Sequence, residues 1–173
     1  MYKNRPKIKI HRETLDVILE FLTLFVLVIL WCYVLMYYAD LPDIVPTHFN
    51  ASGEVDGTGG KSSIWFLMAI TTVITVGIYI LTQYPHIHNY LVEITEENAA
   101  YHYKKSSRLL RFVNLFTLLI MSYVAYSVMA TAMGKQIILG SSFTYIIIGF
   151  SVVMPIVLII YLSKNKKDEL SKK

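Results

Sequence analysis

The chain has 173 residues, of which 55% are hydrophobic and only 16% charged. That balance excludes a disordered chain and points to one compact membrane-embedded unit. The formal net charge of +4 would suit nucleic acid, but the basic residues cluster as membrane topology requires, and the single cysteine, Cys32, excludes a disulfide framework or a paired-cysteine metal site.

Residues 1–14 form a basic arm carrying Lys3, Arg5, Lys7, Lys9 and Arg12. The apolar run from Leu15 to Tyr38 follows, and at about 1.5 Å per residue it predicts roughly 36 Å of helix, enough to span a bilayer. The run begins late and is too long for the core of a cleaved signal peptide, so a retained helix is expected. Asp16 and Glu20 lie one turn apart near its start, where they are expected to stay in the headgroup zone or pair with Arg12. Trp31, Tyr33, Tyr37 and Tyr38 crowd the far end in the manner of an interfacial aromatic belt.

Ser62 or Ser63 is placed to cap a second helix over Ile64–Tyr84, stopped by Pro85. Residues 15–84 thus form a helical pair joined by the 41–65 loop. Residues 85–108 make a connection in which Thr95, followed by Glu96 and Glu97, predicts a helix start, since acids in a first turn face the positive end of the helix dipole. This helix is expected to run on into the third apolar run, Phe112–Met133. A fourth run, Ser142–Ser163, contains Pro155, which predicts a kink, and together these make a second helical pair over residues 109–163. Residues 164–173 form a basic tail expected to fray.

Fourteen of the sixteen Lys and Arg residues fall in the arm, the middle connection with its helix as far as Arg111, and the tail, against Lys61 and Lys135 in the other two loops. This asymmetry predicts four transmembrane helices, both termini in the cytoplasm and the 41–65 loop outside. Lys104, Lys105, Arg108 and Arg111 share a helical face at the membrane edge and are candidates for lipid-phosphate contact.

The 41–65 loop is polar and punctuated, yet Leu41, Ile44, Val45, Phe49 and Val55 give it groups to pack with, which predicts an ordered cap. Pro42 and Pro46 stiffen it, while Gly53, Gly57, Gly59 and Gly60 allow tight turns or close backbone approach. His48, Asn50, Ser52, Glu54 and Asp56 occupy alternate positions, which one extended strand would place on one face. The alternation admits a metal reading with His48 and Asp56 as ligands, but it lacks the Asp spacing and terminal Glu of a calcium loop. Hydrogen bonding of these side chains to the loop's own backbone is the competing account. On the cytoplasmic side His86, His88 and His102 are weaker metal candidates. The stretch Gly57–Ser62 imitates the end of a phosphate-binding loop, but Val55 stands where a glycine is required. Lys61, at the unfavourable end of a helix dipole, calls for an anion, with Asp56 or Asp43 expected to supply it.

Leu41-Pro42, Pro46, His48-Phe49-Asn50, Gly53, Asp56-Gly57 and Lys61 resemble the signature of the domain of unknown function 1648. That domain occurs in small bacterial membrane proteins that include the SdpI immunity proteins. The resemblance covers roughly the first half of the chain and implies a multi-pass protein of the bacterial cytoplasmic membrane with no established catalytic mechanism. It also implies immunity to a secreted peptide, relayed by holding a repressor at the membrane. Four spans are expected here without the additional SdpI-type C-terminal segment.

The expected function is therefore a non-enzymatic binding or immunity-type protein whose outer loop meets a peptide, an envelope component or a membrane-protein partner, with no cofactor. A metal-dependent enzyme centred on His48 or the cytoplasmic histidines is one alternative. A small transporter or channel is another, and because four spans are few for a pore, that reading requires a homo-oligomer.

Overall fold

The computed structural model of the chain describes residues 5–135, 143–150, 152, 153 and 156. The expected kink at Pro155 and the basic tail lie outside the described residues. Three long helices form the body: α1 over Thr14–Tyr37, α2 over Ser63–Thr82 and α3 over Ala99–Ala132. Each is long and apolar enough to cross a membrane. Only 22% of the most apolar window of α1, and the same share of α2, is buried inside the molecule, so most of their apolar surface faces outward.

The connection between α1 and α2 departs from an all-helical fold. It is an antiparallel β-hairpin, β1 over Ile44–Phe49 and β2 over Val55–Gly60. Leu41 and Val45 at its base are buried with Leu30 and Val34 of α1, Ile64 and Met68 of α2, and Leu118, Val128 and Met129 of α3. This apolar burial holds the hairpin against the end of the bundle. Trp65 lies tilted against Tyr38, ring centres 4.5 Å apart, and Trp31 donates its indole N–H to Thr72 Oγ1 at 3.1 Å. These contacts close α1 against α2 at the hairpin end.

α3 is the central element, since α1, α2 and β1 all pack along it. It runs unbroken from the polar connection into the third apolar run, as expected, but it begins at Ala99 rather than Thr95. The reason is local: Asn98 Oδ1 accepts the Thr95 N–H at 3.0 Å and its Nδ2 donates to Glu93 O, which holds residues 93–98 in a turn. Helix α2 likewise begins at Ser63, with no side-chain cap from Ser62, and ends at Thr82, before a short 3-10 turn over Pro85–Ile87. The α2 and α3 helices are tied where Asn114 Nδ2 donates to Thr75 O at 3.0 Å and Ser107 Oγ to Thr82 O at 2.9 Å. Other hydroxyls, including Thr23, Thr71 and Ser122, return to carbonyls four residues back on their own helices.

Residues 143–150 are helical and run antiparallel to α3, with Phe143 against Tyr123 and Phe150 stacked on Phe116. The described part of the amino-terminal arm is docked through Arg5 and Pro6. Arg5 Nη1 donates to His88 O at 2.5 Å, and Tyr103 donates its hydroxyl to Pro6 O at 3.1 Å.

Candidate functional site

Two polar assemblies stand at opposite ends of the bundle. The first is the hairpin. Its turn is built by Asn50, whose Oδ1 accepts the N–H groups of Ser52 and Glu54 at 2.9 and 3.0 Å. Gly53 takes φ of 84°, a left-handed conformation costly for any residue with a Cβ. The strands pair from Ile44 opposite Gly60 to Phe49 opposite Val55, with Pro46 facing Thr58 and His48 facing Gly57. Thr47 is therefore an extra residue on β1 and Asp56 one on β2, and the two offsets cancel. A Cβ at Gly57 would meet His48 Cβ at 2.9 Å, and one at Gly59 would meet Thr47 Cγ2 at the same distance. These two glycines let the bulge lie flat.

The alternating polar residues do not share the face of one strand. The chain folds back about Ser52, so the alternation becomes two cross-strand pairs: Asn50 Nδ2 donates to Glu54 Oε2 at 3.1 Å, and His48 Nδ1 lies 2.5 Å from Asp56 Oδ1. The His48 and Asp56 side chains stay 71% and 44% exposed, which leaves the pair accessible to a partner. Asn50 serves the turn. Phe49 is half-buried against the bundle core, and Pro46 is buried beside Val45. Pro42 is exposed where the chain leaves α1.

Lys61 closes the base of the hairpin. Its N–H donates to Asp43 O at 2.9 Å, its Nζ to Leu41 O at 3.4 Å, and Nζ lies 3.6 Å from Asp43 Oδ1. The anion is thus Asp43 and not Asp56. Asp43 is almost fully exposed, so the ion pair itself adds little and the two carbonyl contacts carry the tie.

The second assembly joins the start of α1 to α3. Asp16 is 2% exposed; its Oδ1 accepts Arg108 Nε at 2.9 Å and lies 3.7 Å from Arg111 Nη1. Arg111 Nε donates to Glu20 Oε1 at 2.7 Å, and Arg12 reaches the other Glu20 oxygen at 3.0 Å. Glu13 binds Lys104 and, at 2.5 Å, Arg108. Hydrogen bonds from Lys104 and then Arg108 hold the Glu13 carboxyl below its ordinary pKa. The face expected to meet lipid phosphate is therefore largely committed inside the protein: Lys104, Arg108 and Arg111 answer carboxylates of α1, and Lys105 contacts the Tyr101 hydroxyl and ring. Asp16 and Glu20 are correspondingly not solvated at the interface. Of their expected links, the Arg12 to Glu20 pair is present.

The metal candidates do not assemble. Among the described residues no three His, Cys, Asp or Glu side chains converge. His48 and Asp56 form a pair without a third ligand. His88 uses both ring nitrogens: Nε2 donates to Leu81 O at 2.9 Å, which makes Nδ1 the acceptor of the Ser106 hydroxyl at 2.6 Å. His86 edges onto Tyr84, and His102 onto Tyr90 and Tyr101.

A bundle of apolar helices capped by a glycine-rich hairpin is the class of protein defined here. Its second half of α1, hairpin and first half of α2 match the domain of unknown function (DUF1648) over residues 25–72, so the chain carries this domain. An uncharacterised protein of Archaeoglobus fulgidus is 39% identical over 62 residues, covering 36% of this chain and 34% of that protein. The chain thus matches about a third of that relative's length. No solved structure matches.

Proposed function

We propose that this is a non-enzymatic, multi-pass protein of a prokaryotic cytoplasmic membrane, with four spans and both termini inside, that binds an extracytoplasmic peptide or envelope partner through its hairpin. An immunity-type role, in which the partner is a toxic peptide, is the specific form of this reading. The observation that carries it is the exposed His48–Asp56 pair, held above a base locked into the bundle by Leu41 and Val45. A rigidly presented polar pair loses little entropy on binding. Enzymatic chemistry has less support, because a nucleophile, base and orienting group must lie within reach of one another, and the hairpin presents one such pair.

The test is cross-linking and capture from native membranes with His48→Ala and Asp56→Ala variants. A partner held by the native protein and lost from both variants, while each still inserts and elutes as the native protein does, is the expected result. Capture of the same partner by both variants sinks the assignment to the hairpin.

A further inference from the structure

At the end of the bundle away from the hairpin, the amino-terminal arm lies over the start of α1, the end of α2 and part of α3, and a pocket of about 240 Å³ opens between them. Its wall carries Lys9, His11 and Arg12 from the arm, Gln83 from just beyond α2, and Lys104 and Arg111 from α3. The arm is fixed at three points: Tyr103 donates to Pro6 O, Ile10 packs against Ile94, Ala99 and Tyr103, and the Glu13 N–H donates to Asp16 Oδ2 at 2.9 Å. Lys9 and His11 are thus held at the pocket wall. Both are exposed and, among the described residues, neither makes a hydrogen bond or an ion pair.

Charge decides what the pocket takes. The adjoining ion-pair network sets Arg12, Lys104, Arg108 and Arg111 against Glu13, Asp16 and Glu20, four cations to three carboxylates. Lys9 adds a further cation that no carboxylate answers. Donors are in surplus as well, since an ammonium has three N–H groups and a guanidinium five. Lys104 spends one on Glu13 and Arg12 gives Nη1 to Glu20, so both keep donors for a ligand. A phosphate, with one or two negative charges and several acceptor oxygens, answers both surpluses better than a carboxylate with a single charge and two oxygens.

The neighbouring surface points to the source of that phosphate. α1 and α2 splay apart over α3 and leave an apolar cleft with Phe21 and Leu24 on one side and Val76 on the other, and Thr82 and Arg111 line both the cleft and the pocket. We infer that the pocket binds the headgroup phosphate of one anionic phospholipid from the leaflet beside the arm, with the phosphate against Lys9, Arg12 and Lys104 and an acyl chain in the cleft. The inference rests on the placement of the helices in a bilayer, where basic pockets beside membrane helices hold such headgroups. A soluble phosphate ester uses the pocket and has no use for the cleft.

The test reconstitutes the full chain into vesicles of phosphatidylglycerol and phosphatidylcholine in equal parts with matched acyl chains, takes it up in detergent and weighs the retained lipid by native mass spectrometry. Phosphatidylglycerol is expected to be retained over phosphatidylcholine. Lys9→Gln, which removes an exposed and unpaired charge and leaves the fold intact, is expected to lower that retention about five-fold, the factor for one lysine at an anionic surface. Lys7→Gln, on the same arm but outside the pocket wall, leaves it unchanged. Leu24→Trp, which fills the cleft, lowers it too, and no loss there overturns the acyl seat. Equal retention by Lys7→Gln and Lys9→Gln, reduced or not, overturns the site, as does equal retention of the two lipids by the native protein. Displacement of the lipid by an equal concentration of glycerol phosphate gives the pocket to a soluble ester and overturns the lipid. A chain that fails to float with the vesicles overturns the bilayer placement together with the site.

Discussion

Asp16 lies within the first turn of α1, shielded from solvent, with its carboxylate facing two guanidinium groups on α3. Removing one partner of a buried ion pair strands the other, at a cost of about 3–5 kcal/mol. Arg108→Ala still leaves Asp16 with Arg111 and Glu13 with Lys104, so it is expected to destabilise the protein by less, about 1.5–3 kcal/mol in denaturant unfolding in detergent, whereas Asp16→Leu combined with Arg108→Met recovers much of the loss. If the single variant unfolds at the native midpoint, the pair has no structural weight. His88 gives a pH signature. Burial lowers its pKa below the ordinary imidazole value of 6.5, so the unfolded chain takes up a proton before the folded one does. The stability it contributes is present above pH 6.5 and is lost as the pH falls through the lowered value. The melting temperature should drop on acidification from pH 7 to 5, and less so in His88→Gln; equal drops would clear His88 of the effect. Little of this was legible beforehand. One-turn spacing suggested a link from Arg12 to the Asp16 and Glu20 pair, but partners about ninety positions away leave no local trace.

Among elements, the helices were readable and the hairpin was not. Continuous apolar runs of more than twenty residues announce α1 and α3. By contrast β2, VDGTGG, has three glycines in six residues and no alternating apolar face, while β1 contains Pro46, and both features argue against strands. The signal was the symmetry of His48, Asn50, Glu54 and Asp56 about Ser52, which marks a fold-back. Gly57→Val should push His48 off its register and unpair the strands, seen as faster hydrogen exchange at the amides of Asn50 and Lys61 with helix content unchanged. Gly53→Ala should cost about 1–2 kcal/mol through its left-handed φ. Unchanged exchange in Gly57→Val would show that the glycine is not needed there.

For the whole molecule, the distribution of Lys and Arg gives a prediction of sidedness. In a Cys32→Ser background, His48→Cys should react with an impermeant thiol reagent on intact cells and Glu93→Cys only after permeabilisation. The opposite pattern would invert the topology. The cleft between α1 and α2 was invisible in the sequence, because it depends on how far two outward-facing helices diverge over a third. Pattern fixes which face of each helix is apolar, and packing alone sets the divergence.

The length of α3 has a mechanical consequence. Its 34 residues measure about 51 Å, against about 30 Å of bilayer hydrocarbon, and contain neither proline nor glycine to soften it. Met129 touches the core beneath the hairpin, while Tyr103 near the opposite tip braces Pro6. Such a stiff lever cannot be nudged at its Met129 end without its Tyr103 end swinging the other way, so a tilt of a few degrees would tug directly on the leader strap at Pro6.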